Sequence, residues 1–190
     1  MTTTHLPTNA TLILIDVQRG FDEPSWGERN NPGAERTIEK LLARWRASHR
    51  PVIHVRHDST EPHSALRPDS PGNAIKDEAA PRSDEPVVGK HVNSAFIGTD
   101  LEARLKAHPS DTLVLCGFTT NHCVSTTARM AGNLGFRTFV LSDSTVAFAM
   151  RSPGPNGRII PAAEMHEVGM AELNGEFATV LTTDELLALL

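Results

Sequence analysis

A chain of 190 residues is long enough to bury a sizeable core without disulfides or structural metals, so a single domain spanning residues 1–190 is expected. Its 39% hydrophobic and 22% charged residues exclude the low-hydrophobicity, high-charge regime of disordered chains. A net charge of −5, with no run of clustered Lys and Arg, argues against nucleic acid as a partner.

The first ten residues lack the basic and apolar regions of a secretory signal, and no apolar run approaches the ~18 residues of a membrane span. A cytoplasmic location without membrane partners is therefore expected. Thr11–Asp16 (TLILID) is a β-branched, apolar run ending in a carboxylate, which predicts a first strand buried on both faces. After a loop carrying Pro24, Gly27, Pro32 and Gly33, the residues Ile38, Leu41, Leu42 and Trp45 fall at helical spacing among charges, predicting an amphipathic helix over Ala34–Ser48. Pro51–Arg56 (PVIHVR) is the second strand. His57–Pro86 is polar and rich in Pro, Gly and Ser, and a long irregular stretch of this kind often borders a site.

A short strand over Pro86–Lys90 follows, then a helix over Gly98–His108 with Thr99 as N-cap and Glu102 completing a capping box. Thr112–Gly117 (TLVLCG) is a fully apolar strand, and Thr119 and Thr120 lead into a helix over Asn121–Asn133, which Gly135 stops. A strand over Arg137–Leu141 runs into Ser142 and Asp143. A helix over Ala162–Leu173, a strand over Ala178–Leu181 and a helix over Asp184–Leu190 complete the chain. Apolar strands alternating with amphipathic helices predict an α/β fold, a mainly parallel sheet covered on both faces with right-handed crossovers. Ligands bind outside the carboxyl ends of such strands, which places Asp16, Lys90 and the turn from Gly117 to Cys123 on one functional edge.

Cys116 and Cys123 are too few for a disulfide framework, and their C-x6-C spacing matches no common zinc or redox motif. Cys116 lies inside an apolar strand and reads as core. Cys123 falls about two residues into a helix, where unpaired N–H groups and the helix dipole favour the thiolate, although a lone helical cysteine also serves as a small buried hydrophobe. Asp16 is either a turn-forming carboxylate or a general base that takes the thiol proton and later delivers it to a leaving amine. Lys90 is either a solvated strand-end charge or the partner that keeps Asp16 ionised and favours the thiolate.

Three blocks now stand in order: LILIDVQRGF at the first strand, GKHVNSAFIGTDL around Lys90 and CGFTTNHCVSTTARMAGNLGF around Cys123. Together, over nearly the whole chain, they resemble the isochorismatase-like cysteine hydrolase superfamily, which includes nicotinamidases, N-carbamoylsarcosine amidases, and biuret and ureidoacrylate hydrolases. The resemblance implies a three-layer αβα sandwich with a central, mainly parallel Rossmann-like sheet. It also implies a triad of Asp16, Lys90 and Cys123, an oxyanion hole from the backbone N–H groups of Thr119 and Cys123, and a cis Phe118–Thr119 peptide. The implied reaction is cysteine-dependent hydrolysis of a C–N bond in a small amide or ureide, through a thioester and without an organic cofactor. Isochorismatase-type vinyl-ether hydrolysis, which does not rely on the cysteine, and a non-catalytic small-metabolite-binding protein on the same fold are the alternatives. Relatives assemble as dimers or tetramers, so a homo-oligomer is implied, and the apolar segment LTTDELLALL suits an interface as readily as a core.

Nicotinamidases of the superfamily hold a metal with an Asp-x-His pair after the second strand. In the corresponding stretch, RHDSTEPHSALRP, His57 stands at the place of that Asp and Ser59 at that of the His. Although Asp58 and His63 are present, no metal is expected. Phe21, Trp26, Asn93, Phe96 and His122 flank the three blocks and are expected to contact substrate, Trp26 and Phe96 suiting core or subunit contacts equally. Arg56, Arg67 and Arg151 are candidates for recognising a carboxylate.

Overall fold

Successive side chains of a strand point to opposite faces, and both faces of the first strand are buried. Leu12 and Leu14 join one apolar cluster, Ile13 and Ile15 another. The computed structural model, which describes residues 5–107 and 111–190, builds a layer of helices on each of these faces.

In chain order the elements are β1 (Thr11–Ile15), α1 (Ala34–Ala47), β2 (Val52–His57), β3 (Val87–Lys90), α2 (Leu101–Ala107), β4 (Thr112–Phe118), α3 (Ser125–Asn133) and β5 (Arg137–Val146). They continue with β6 (Met150–Arg151), β7 (Ile159–Ile160), α4 (Ala162–Leu173), β8 (Thr179–Leu181) and α5 (Thr183–Leu187). The six-stranded sheet has the order β3-β2-β1-β4-β5-β8, with every neighbouring pair parallel. Ile38, Leu41, Leu42 and Trp45 of α1 and Leu186 of α5 cover one face; Leu101 and Leu105 of α2, Ala128 and Ala131 of α3, and Met170 and Leu173 of α4 cover the other. Each fully buried aliphatic side chain in these layers contributes about 1.5–3 kcal/mol relative to exposure. The result is the three-layer α/β sandwich that the strand pattern predicts. The chain order reverses direction at β1, with β2 on one side and β4 on the other, so the crevice beyond their carboxyl ends is where such sheets bind ligands.

Four local features differ from the sequence reading. The helix expected over Asn121–Asn133 begins as a π-helical turn, Thr120–Val124, before α3 takes over. β5 continues past Leu141 to Val146, with a register shift against β4 between Leu115 and Gly117. The Thr99 hydroxyl does accept from the Leu101 N–H, but Glu102 pairs with Lys106 instead of closing a box; the complete capping box is Thr182 with Glu185 at the start of α5. The short antiparallel hairpin of β6 and β7 was not expected, since two-residue strands leave no period to read. His108, at the end of the second expected helix, lies outside the described residues. No helix among the described residues is long and apolar enough to cross a membrane.

Candidate active site

The carboxyl ends of four adjacent strands supply the site. Asp16 follows β1 with φ of 51°, a left-handed conformation that Asp tolerates better than most residues and that tends to persist where function requires it. His57 and Lys90 are the last residues of β2 and β3 and lie opposite each other in register. Beyond β4, Gly117 has φ of +120°, and a Cβ there would sit 2.0 Å from the Ile15 carbonyl oxygen, so only glycine lets β1 and β4 approach this closely. The Phe118–Thr119 peptide is cis. In the π-helical turn that follows, the Val124 N–H donates to the Thr119 carbonyl at 3.1 Å, and the turn delivers Cys123 over the ends of β1 and β3.

An ammonium group has three N–H donors. The Lys90 Nζ has three electron-rich neighbours, Asp16 Oδ2 at 2.7 Å, His57 Nδ1 at 3.0 Å and Cys123 Sγ at 3.3 Å. Asp16 and Lys90 are both fully buried. The contact between them is a buried ion pair. Burial pushes the Asp16 carboxyl up to about 6, against the pull of the Lys90 ammonium and the Cys123 thiol, which both draw it down. Burial, reinforced by Asp16, pushes the Cys123 thiol up to about 12, and Lys90 offsets only part of this. Burial and the Asp16 carboxylate thus oppose the thiolate that the helix start was expected to favour. Burial, with help from Lys90, lowers His57 to about 4, so its imidazole is neutral. Because Nδ1 accepts from the ammonium, the ring proton resides on Nε2.

Donor atoms of Asp16, His57 and Cys123 lie within 4.8 Å of one another, a spacing that suits a metal. The Lys90 ammonium already contacts all three, however, and a second cation there would meet it head-on. Asp58 accepts instead from Arg56 at 2.8 and 3.1 Å and from Asn73 at 3.0 Å, and His63 is exposed in a separate groove. These residues do not fit a metal centre.

A cavity of about 240 Å³ opens over Cys123. Phe21, Trp26 and Leu66 form its apolar wall, and Asp16, His57, Asn93, Thr119 and His122 supply polar groups. Phe21 stacks on Phe118 with centroids 5.2 Å apart and lies 4.9 Å from Trp26, whose indole N–H donates to the Gly20 carbonyl. A smaller hollow of about 120 Å³ shares Trp26, Thr119 and His122 and extends to Phe148 and Met150. A larger groove, about 600 Å³, lies at the opposite edge of the sheet beside Thr11, Val52 and Pro86 and holds no thiol.

Residues 10–185 match the family model of the isochorismatase domain. The chain belongs to the isochorismatase family of hydrolases. It is 49% identical over 176 residues to the uncharacterized isochorismatase family protein YrdC of Bacillus subtilis, covering 93% of each chain. A crystal structure assigned to the isochorismatase family from Chromobacterium violaceum matches with a TM-score of 0.92 at 45% identity, over 96% of this chain and 94% of that one. The maleamate amidohydrolase of Pseudomonas putida is 27% identical over 191 aligned residues, 92% of this chain and 83% of the relative.

In this isochorismatase-family chain, the one cavity gathers Asp16, Phe21, Trp26, Asn93, Thr119, His122 and Cys123, with Lys90 directly behind them. Phe96 does not join them. Its ring is buried in the core layer under α2 and α3 and stacks on Phe136 at 6.0 Å. Arg56 and Arg67 are held by Asp58 and Asp69, and Arg151 donates to the Gly157 carbonyl, so none of the three reaches the cavity. Sequence reasoning did not place His57 or Leu66 in the pocket. His57 was legible as the polar residue closing the second strand, but only the pairing of β2 with β3 sets it beside Lys90. Leu66 returns to the site because the buried Asn73 donates to the carbonyls of Leu66 and His57, while Gln18 donates to those of His57 and Asn73.

Proposed function

We propose that the chain is a cysteine-dependent hydrolase that cleaves the C–N bond of a small amide or ureide through a thioester on Cys123. The observation that carries this reading is the buried contact of Lys90 with both Asp16 and the Cys123 sulfur, at the floor of a cavity. Above about pH 6 the Asp16 carboxylate is ionised and, with the Cys123 thiol beside it, can accept a proton. It takes that proton from the Cys123 thiol as the sulfur attacks the substrate carbonyl carbon, and Lys90 stabilises the negative charge that develops on sulfur. The carbonyl oxygen becomes an oxyanion, received in this reading by the backbone N–H groups of Thr119 and Cys123; one such donor is typically worth 10²–10³ in rate.

Collapse of the adduct breaks the C–N bond, and the Asp16 carboxyl passes its proton to the departing nitrogen. A water then gives one proton to Asp16 as its oxygen attacks the thioester carbonyl. The C–S bond breaks, the acid leaves, and the proton returns to the sulfur. One water is consumed for each amide converted to acid and amine. The related maleamate amidohydrolase is by name an amide-splitting enzyme, which supports C–N chemistry here.

The test is a panel of small amides and ureides assayed for released amine or ammonia, with acid-quenched intact-mass measurement of an acyl adduct on Cys123. An adduct, and loss of turnover in Cys123→Ala, is the expected result. Turnover retained by Cys123→Ala would point instead to cysteine-independent chemistry such as vinyl-ether hydrolysis.

A further inference from the structure

We infer that the pocket selects small amides or ureides that carry no carboxylate, and that His57 binds them through its Nε2–H; this rests on the cysteine-hydrolase reading above. The ring is a built donor. Its Nδ1 is engaged by Lys90 at 3.0 Å, its backbone N–H donates to Gln18 Oε1 at 2.8 Å, and its carbonyl receives Gln18 Nε2 at 3.0 Å and Asn73 Nδ2 at 3.1 Å. The imidazole is therefore fixed in place and in tautomer, with Nε2–H as the polar group left for the cavity that His57 lines. A neutral N–H suits an uncharged carbonyl oxygen or ring nitrogen; it offers no full charge to a carboxylate.

The rest of the lining points the same way. Among the described residues the cavity wall contains no arginine or lysine side chain, and Asp16, its carboxylate fully buried, is among the residues that line it. Lys90, behind the wall, is fully buried and committed to Asp16, His57 and Cys123. Burial holds His122 neutral as well as His57. A substrate carboxylate would lose its water against Phe21, Trp26 and Leu66 and meet the like charge of Asp16 with no cation to pair it. The cavity, at about 240 Å³, lies below the range of drug-sized pockets and suits a small molecule.

Two alkylating reagents of nearly the same size test this without knowledge of the substrate. Cys123 labelling at pH 7.5 by iodoacetamide, which is uncharged, and by iodoacetate is followed by peptide mass spectrometry, each rate divided by that for glutathione. The expected result is a normalised preference for iodoacetamide of at least about tenfold, as like-charge placement implies. In the amide panel, uncharged amides are hydrolysed in preference to matched amic acids. His57→Ala raises KM for the uncharged amide about tenfold with a smaller change in kcat, and His57→Gln, which keeps an N–H donor, recovers part of the loss. If Cys123 reacts as readily with iodoacetate as with iodoacetamide, the selectivity inference falls while the cysteine-hydrolase reading stands. If KM is unmoved in His57→Ala, the role of His57 falls. If neither reagent labels Cys123 faster than Cys116, the hydrolase reading falls and takes this inference with it.

Discussion

Two buried lysines hold carboxylates in opposite ways. Lys76 donates to Glu35 at 2.7 Å and to Asp22, and Glu35 also receives two hydrogen bonds from Arg29 at 2.7 and 2.6 Å. Both Glu35 oxygens are therefore bonded, and these bonds draw its carboxyl down to about 2 in spite of burial. Lys90 and Asp16 are as close, at 2.7 Å, but Asp16 is fully buried where Glu35 is not, and burial outweighs the hydrogen bonds from Lys90 and Cys123 and raises the carboxyl to about 6. Depth of burial separates the two cases, together with the two cations that share Glu35 where Asp16 has one. Glu35 stays ionised and ties α1 to the loop after β1, whereas in the proposed mechanism the raised carboxyl of Asp16 is the group that exchanges a proton.

Substitutions can break this contrast from either side. The largest effect is expected for Cys123→Ala, which lowers kcat/KM on a hydrolysed amide by about 10⁴-fold or more while circular dichroism stays native. Asp16→Asn is expected to cost about 10²–10⁴-fold and to remove the rise of kcat/KM with pH that otherwise centres near pH 6. Glu35→Gln should leave that pH profile in place but lower stability by about 2 kcal/mol, read by urea unfolding. The sign follows from its lowered pKa: the Glu35 contribution is present above the unfolded value near 4.5 and is lost as pH falls toward about 2, so the variant and wild type converge in acid. The smallest effect belongs to the exposed Arg67–Asp69 pair, where Arg67→Ala is expected to move Tm by under about 2 °C and leave turnover unchanged.

The contrast also explains what the sequence could and could not reveal. Buried parallel strands read as apolar runs, and the first polar residue beyond each run marks the edge where chemistry gathers. Asp16 after TLILI, Lys90 after VVG and Cys123 beyond TLVLCGF were legible for that reason. The protonation state of the thiol was not, because it depends on desolvation by groups distant in sequence. For a related reason Phe96 took the core position that its sequence left equally open, while Leu66, unremarked in a polar stretch, was drawn back to the site by Asn73. The triplet His57, Asp58 and His63 raised the question of a metal, and strand register settled the place of its first member by pairing His57 with Lys90. The π-helical turn at Cys123 carries no periodic signal over its five residues and reads as the start of an ordinary helix.

The most direct measurement is the pH dependence of iodoacetamide labelling at Cys123, with Cys116 as internal control, in wild type and in Asp16→Asn. Cys116 is fully buried, and burial pushes its thiol up, so it should stay unlabelled in the folded protein. If Asp16 is the base for Cys123, labelling of the wild type rises through an inflection near pH 6, and Asp16→Asn loses that inflection. An inflection only above pH 8, shared by both proteins, would contradict the account.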